Sequence, residues 1–179
     1  MIALPNQGCF ANVLPLIRTL FDIVLLRKGP EDIPRSWFLL VVIVVLWIFS
    51  TLVAVALVDQ IDESDFFPSL FSGVIGVLCY GAVIVARGFP MRVLQTVSAV
   101  LGSGALISLV FVAEYVLFSP LLGEVPTVLI ADLILLWSVP VEGHIIARTI
   151  GSHWYVGILI AIAVFVLQFV VFSAISATP

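Results

Sequence analysis

Long runs of apolar residues, separated by short polar connectors, make up most of the chain from residue 36 onward. A helix that crosses a bilayer needs roughly 20 mainly apolar residues, because the hydrocarbon layer is about 30 Å thick and a helix rises about 1.5 Å per residue. Five stretches satisfy this requirement: residues 36–58, 67–86, 93–118, 127–146 and 155–173. The pattern predicts an all-α, polytopic membrane protein with five transmembrane helices in a domain spanning residues 36–179.

The segment that precedes the first long apolar run has a different pattern. Between residues 12 and 26 apolar positions recur at helical spacing, but Arg18 and Asp22 interrupt them and Arg27 and Lys28 close the stretch. Such a segment is too short and too charged to span a bilayer. We predict an amphipathic helix at the cytoplasmic membrane surface, within an N-terminal cytoplasmic segment of residues 1–35. The alternative is a soluble helix that packs on the inner connectors.

Composition agrees with a lipid environment. Hydrophobic residues account for 63% of the 179 positions and charged residues for 10%, with a mean hydropathy of +1.31. Ordinary soluble domains are about 45–50% apolar and about 25% charged, and a chain this short cannot hide so much apolar surface from water. A water-soluble fold is therefore excluded.

The basic residues test the topology, because cytoplasmic connectors of membrane proteins are enriched in Lys and Arg. With five spans all seven basic residues fall on one side: Arg18, Arg27, Lys28, Arg35, Arg87, Arg92 and Arg148. The acidic connector with Asp59, Asp62, Glu63 and Asp65 falls on the other side with Glu124. We predict a cytoplasmic N-terminus and an external C-terminus, in a membrane that the compact connectors suggest is a bacterial inner membrane.

Several classes of chemistry are not indicated. The sequence has no phosphate-binding loop, no HExxH or GxSxG motif and no metal-ligand spacing, and its basic residues form no nucleic-acid patch. Cys9 and Cys79 stand far apart, so we expect no disulfide and no metal site. The first ten residues lack a basic region and a long apolar stretch, so we expect no signal peptide. No cofactor and no enzymatic activity are predicted.

Two carboxylates fall inside predicted spans and form a candidate intramembrane polar site. Glu114 lies near the outer end of the third span, and Asp132 lies near the outer end of the fourth. Antiparallel neighbours would place them at similar depth, where a facing pair could share a proton or bind a cation. The alternative is that each reaches water or a backbone donor on its own.

A second charged group is predicted near the inner boundary of the fourth span, at Glu142, His144 and Arg148. His144 and Arg148 share a helix face, whereas Glu142 is offset from both. This cluster is expected to orient the helix and pair with Arg87 or Arg92. The alternative is a proton relay or a ligand site that uses His144.

Small residues punctuate the second and third spans. Candidate helix-packing positions are Gly73, Gly76, Gly102 and Gly104, where the absence of a side chain lets helices approach closely. These positions could serve packing within the monomer, contact in a dimer, or binding to a larger complex. The pair Gly102 and Gly104 could also loosen the third helix.

Three pieces of the chain, residues 22–37, 90–109 and 135–151, resemble parts of small bacterial membrane proteins of the Yip1-like group. The resemblance implies a five-helix membrane domain with a cytoplasmic N-terminus. It also implies a function based on partner binding rather than catalysis. The Tyr-Gly signatures of eukaryotic members are not evident here, so no trafficking role and no functional residue is implied.

The leading hypothesis is a non-enzymatic accessory, scaffolding or assembly subunit that binds other membrane proteins or itself. The alternative is a small proton- or cation-coupled transporter that uses Glu114 and Asp132. A membrane-embedded enzyme ranks last, because no nucleophile and base can be paired.

Overall fold

A computed structural model of the protein describes residues 13–58 and 61–176, and the regular structure of this part is entirely helical. Short 3₁₀ turns precede the second, third and fourth helices. The seven α-helices are α1 Val13–Val24, α2 Trp37–Leu57, α3 Phe66–Ala86, α4 Val93–Leu122, α5 Glu124–Leu136, α6 Ser138–Ile150 and α7 Trp154–Ser176.

Five helices in the described residues are long and apolar enough to cross a membrane, as the sequence predicts. They are α2, α3, α4, the consecutive pair α5 and α6, and α7. The expected ends hold closely for α2, which is capped by the Ser36 side chain, and for α3. The third run was expected to stop at residue 118, but α4 continues through Pro120 until Gly123, whose φ of 79° ends the helix.

The fourth span is broken near its middle, a feature that the apolar pattern did not predict. Its two halves, α5 and α6, meet at Trp137. Pro140 explains the break, because it has no N–H to donate to the carbonyl of Leu136 and its ring clashes with that carbonyl. The span resumes as α6 and ends at Gly151, which adopts the left-handed conformation with a φ of 62°.

The long helix α4 occupies the centre of the bundle. It packs against α1, α2, α3, α5 and α6, while α7 packs against α3 and α6. The side of α4 that faces these neighbours is rich in small residues that are fully or almost fully buried, namely Ser98, Ala99, Gly102, Ser103 and Ala105. Small side chains on the central helix allow five neighbours to approach it at once.

Three of the four glycines predicted to serve helix packing lie beneath a side chain. A Cβ at Gly102 would lie 2.8 Å from Leu20, and one at Gly73 or Gly76 would collide with Trp47 or Gln168. Gly104 has no atom within 4 Å of such a Cβ. These glycines make room for side chains of neighbouring helices.

The closest contact between helix backbones was not predicted. A Cβ at Gly143 of α6 would lie 2.9 Å from the backbone of Ile158 in α7. A Cβ at Gly157 would collide with the carbonyl of Gly143 and with Ala147. One glycine on each helix therefore lets α6 and α7 pack tightly after the turn at residues 151–153.

The N-terminal helix α1 packs chiefly against the side of α4. Leu20 and Ile23 are buried in the main core, and the Trp137 indole donates a hydrogen bond to the carbonyl of Val24 at 3.0 Å. Leu26, with a φ of 60°, turns the chain after the helix. After this turn Lys28 forms an ion pair of 3.0 Å with Asp22 of α1. The hydrogen bond from Lys28 holds the pKa of Asp22 below its usual range.

Several residues used in the sequence analysis lie outside the described part of the chain. They are Cys9, Asp59 and the final residues 177–179, and the side chain of Glu124 is also outside it.

The α6–α7 contact yields a first prediction. We expect Gly157→Ala to lower the free energy of unfolding by about 1–3 kcal/mol, because the new methyl group overpacks a backbone contact. The measurement is equilibrium unfolding of the full chain in mild detergent. Gly104→Ala is the matched control and should be neutral or stabilising by up to about 1 kcal/mol, because Ala favours a helix over Gly. Equal losses from both variants would contradict the packing described here.

Candidate functional site

A carboxyl group and a phenol meet in the interior of the bundle. Tyr80 of α3 is 2% exposed, and its hydroxyl donates a hydrogen bond of 2.5 Å to Oε2 of Glu142 on α6. The two helices are separated by 62 residues in sequence at this point. A hydrogen bond to a carboxylate is short and strong, and among apolar side chains it compensates for the loss of water.

A small polar cavity adjoins this pair. It has a volume of about 70 Å³ and is bordered by Tyr80, Glu142 and Gln168 together with apolar side chains and three glycines. Gln168 of α7 donates through Nε2 to the carbonyl of Ser72 at 3.3 Å. We call Tyr80, Glu142 and Gln168 the interior polar cluster. It links α3, α6 and α7 by side-chain hydrogen bonds.

The charged cluster predicted from the sequence at Glu142, His144 and Arg148 is not formed, because each of these side chains has a different neighbour. Arg148 pairs with Glu31 at 2.5 Å, and His144 Nε2 donates to the carbonyl of Lys28 at 3.1 Å. The helical period explains the separation. Residues 144 and 148 are about 40° apart around a helix, whereas 142 and 148 are about 120° apart.

The expected pairing of this cluster with basic residues of the α3–α4 connector is also replaced by other contacts. Arg92 donates from Nη1 to the carbonyl of Thr149 at 2.8 Å. Its guanidinium also lies over the ring of Phe89, 5.0 Å from the ring centre. Glu142 accepts a hydrogen bond from Tyr80 instead.

Glu114 and Asp132 lie in different surroundings. Glu114 on α4 is 7% exposed, and neither of its carboxyl oxygens has a hydrogen-bond partner in the described residues. Asp132 on α5 is exposed. The two carboxyl groups are therefore not hydrogen bonded to each other, and the direct contact that proton sharing between them requires is not formed.

Tyr80 and Gln168 were not among the predicted site residues. A signal for Gln168 was available, since an amide in the middle of a long apolar helix needs a hydrogen-bond partner from another element. Tyr80 carried a weaker signal, because a tyrosine near a helix end often serves as an interfacial anchor. Neither signal identifies Glu142 or Ser72 as the partner.

The arrangement supplies few of the groups that catalysis or metal binding needs. Within the described ranges, no three His, Cys, Asp or Glu side chains lie close enough to hold a metal ion. The cluster contains no Ser or Cys paired with a base. What it does provide is a set of hydrogen bonds that fixes the relative rotation of three helices.

No family model matches the chain, and no curated protein and no solved structure is detectably similar to it. The resemblance to the Yip1-like group therefore stays a prediction from the sequence.

The interior polar cluster yields a second prediction. Tyr80→Phe leaves the buried Glu142 carboxyl group without its phenol partner, so we expect the free energy of unfolding to fall by about 1–3 kcal/mol. Unfolding of the purified chain in detergent measures the loss. Tyr115→Phe is the control, because Tyr115 is also buried but its hydroxyl forms no hydrogen bond within the described part. If the control loses as much, the hydrogen bond is not the cause.

Proposed function

We propose that this chain is a multi-pass membrane protein without catalytic activity, an accessory subunit that binds another membrane protein through the exposed face of α5. The five long apolar helices support the membrane location, as does the exposure of large apolar side chains on the outside of the bundle. Phe38, Phe67 and Leu121, for example, are 72%, 75% and 76% exposed. Surfaces of this kind are unstable in water and stable in lipid.

The proposed topology follows from where the charges lie. Arg35, Arg92 and Arg148 lie at one end of the bundle, where they line a common pocket. At the other end, Ser176 at the end of α7 contacts Asp65 in the acidic connector at 3.4 Å. The positive-inside rule then assigns the arginine end to the cytoplasm of a bacterial inner membrane, with the N-terminus inside and the C-terminus outside.

The amphipathic helix α1 fits an interfacial position in this topology. Ile17, Phe21 and Leu25 form an exposed apolar stripe, while Leu20 and Ile23 face the bundle. We propose that the stripe contacts lipid and that the charged residues Arg18 and Asp22 reach the polar head groups.

The observation that carries the functional proposal is the position of Asp132. Its side chain is exposed on α5 among Leu129, Leu133 and Leu136, which are 60%, 66% and 55% exposed. Asp132 is eight residues, or about 12 Å, from the start of α5 at Glu124. A short aspartate side chain cannot span this distance to reach water, and a bare carboxylate facing lipid costs about 2.5–3.5 kcal/mol at the bilayer centre. A donor from another chain removes that cost.

A second copy of the chain in the same orientation supplies no basic donor at this depth. All seven Lys and Arg residues, and both histidines, lie in the N-terminal segment or near the inner ends of the helices. None lies at the depth of Asp132. The proposed partner is therefore a membrane helix of a different protein, with a basic side chain in its outer half.

Topology can be tested with single cysteines at three exposed connector positions, in a chain whose own cysteines are replaced. We expect Ser64→Cys to react with a membrane-impermeant maleimide on intact cells. Met91→Cys and His153→Cys should react only after permeabilisation, because they lie in the arginine-side connectors. Labelling of positions 64 and 153 from the same side would show that the number of spans is wrong.

Partner binding can be tested by photo-crosslinking in native membranes. A photoreactive amino acid at Leu129 or Leu136 should crosslink to one discrete protein, and Asp132→Leu should weaken this crosslink by about 10-fold, in line with about 1–2 kcal/mol for an interhelical hydrogen bond. The control position is Leu159, which is 64% exposed on α7, a helix without acidic residues. A crosslink that does not depend on Asp132, or one only to a second copy of the chain, would contradict the proposal.

A further inference from the structure

A large cavity opens at the end of the bundle where the basic connectors meet. It has a volume of about 460 Å³, within the range of about 300–1,000 Å³ that is typical of small-molecule sites. We call it the arginine pocket. Three arginines from three separate segments line it with one carboxylate and two hydroxyls: Arg35, Arg92, Arg148, Glu31, Thr96 and Thr149.

The arginine pocket carries a net positive charge. Three guanidinium groups face a single carboxylate, Glu31, which pairs with Arg148 at 2.5 Å. Both side chains of this pair are about half exposed, at 45% and 50%, so water screens the ion pair and an entering anion can replace Glu31 at low cost.

The guanidinium groups are held in place but keep free donors. Arg35 uses Nε for a hydrogen bond of 3.0 Å to Gln95, and Arg92 uses Nη1 for the bond to the Thr149 carbonyl. Each guanidinium has five N–H donors, so most of them remain available to a ligand. Arg92 also lies over the Phe89 ring, which restricts its orientation.

The floor of the arginine pocket is rigid. Thr96 and Thr149 are fully buried, and their hydroxyls lie 2.9 Å apart in a hydrogen bond between α4 and α6. The Thr96 hydroxyl also lies 2.9 Å from the Arg92 carbonyl, and the Thr149 hydroxyl lies 2.8 Å from the Ile145 carbonyl, so one hydroxyl donates to its carbonyl while the other donates between the two threonines. A site assembled before its ligand arrives loses little entropy on binding.

Planar, fork-shaped guanidinium groups match the oxygens of a phosphate group. Trp37, two residues along the chain from Arg35, is a strongly exposed apolar side chain at 73%. A phosphate that is attached to acyl chains can therefore place its head group in the pocket and its chains along the apolar helix α2, which begins at Trp37. We propose that the arginine pocket binds the phosphate group of an anionic phospholipid.

The proposal rests on the membrane location proposed above but not on the partner at α5. Its test uses the purified full chain in detergent, where no partner is present. Native mass spectrometry should show retained phosphatidylglycerol on the chain, and the double variant Arg35→Gln with Arg148→Gln should reduce this retention on the order of 10-fold. Zwitterionic phosphatidylcholine should be retained weakly by both proteins.

Two further variants separate this site from general attraction to basic residues. Arg87→Gln removes a charge at the same end of the bundle but outside the lining of the arginine pocket, so it should leave retention unchanged. Glu31→Gln removes the competing carboxylate and should raise retention several-fold. Glu31→Gln therefore also tests the proposal if the double variant fails to fold.

Several results would overturn the proposal. One is equal loss from Arg87→Gln and the double variant, and another is no gain from Glu31→Gln. A third concerns the source of the phosphate. Inorganic phosphate at millimolar concentration should not displace the lipid. If it binds with the same arginine dependence while phosphatidylglycerol does not bind, the ligand is a soluble phosphate and not a lipid.

Discussion

Hydrogen-bonding groups on a long apolar helix need partners that the surroundings do not provide, and this constraint explains most of the polar contacts in the protein. Tyr80 meets Glu142, Gln168 meets the Ser72 carbonyl, and Thr96 meets Thr149. Each of these contacts joins two different helices. The few polar residues therefore determine how helices that are otherwise uniformly apolar rotate and align, because apolar packing alone distinguishes poorly between similar rotations.

The central position of α4 depends on the small side chains that it presents to its neighbours. Between residues 98 and 105 the packed side of α4 carries mainly serine, alanine and glycine, which lets several helices approach it closely, while larger side chains such as Phe111 and Tyr115 are buried farther along. The tight pairing of α6 with α7 through Gly143 and Gly157 serves a similar purpose at the edge of the bundle. Polar contacts and close backbone approach reinforce each other, since Glu142 and Gly143 are adjacent residues of α6.

The helices could be predicted from the sequence because each is a continuous apolar run bounded by proline, glycine or charge. The partners of individual side chains could not be predicted, because they depend on helix rotation and on which helices are adjacent. Glu142 illustrates the difference: its offset from Arg148 was visible in the helical period, but Tyr80 as its partner was not. The break at Trp137 was missed although Pro140 was visible, because the apolar run continues across it. Gly143 and Gly157 were missed because each is an isolated glycine in its own helix.

The break between α5 and α6 divides the fourth predicted span into two parts that contact different helices. The inner half, α6, is fastened to α7 and α3 by close backbone approach and by the Tyr80–Glu142 bond, whereas α5 packs chiefly on α4. Substitutions on the exposed side of α5 therefore leave the contacts of α6 with α3 and α7 in place, so the two halves can vary in sequence independently.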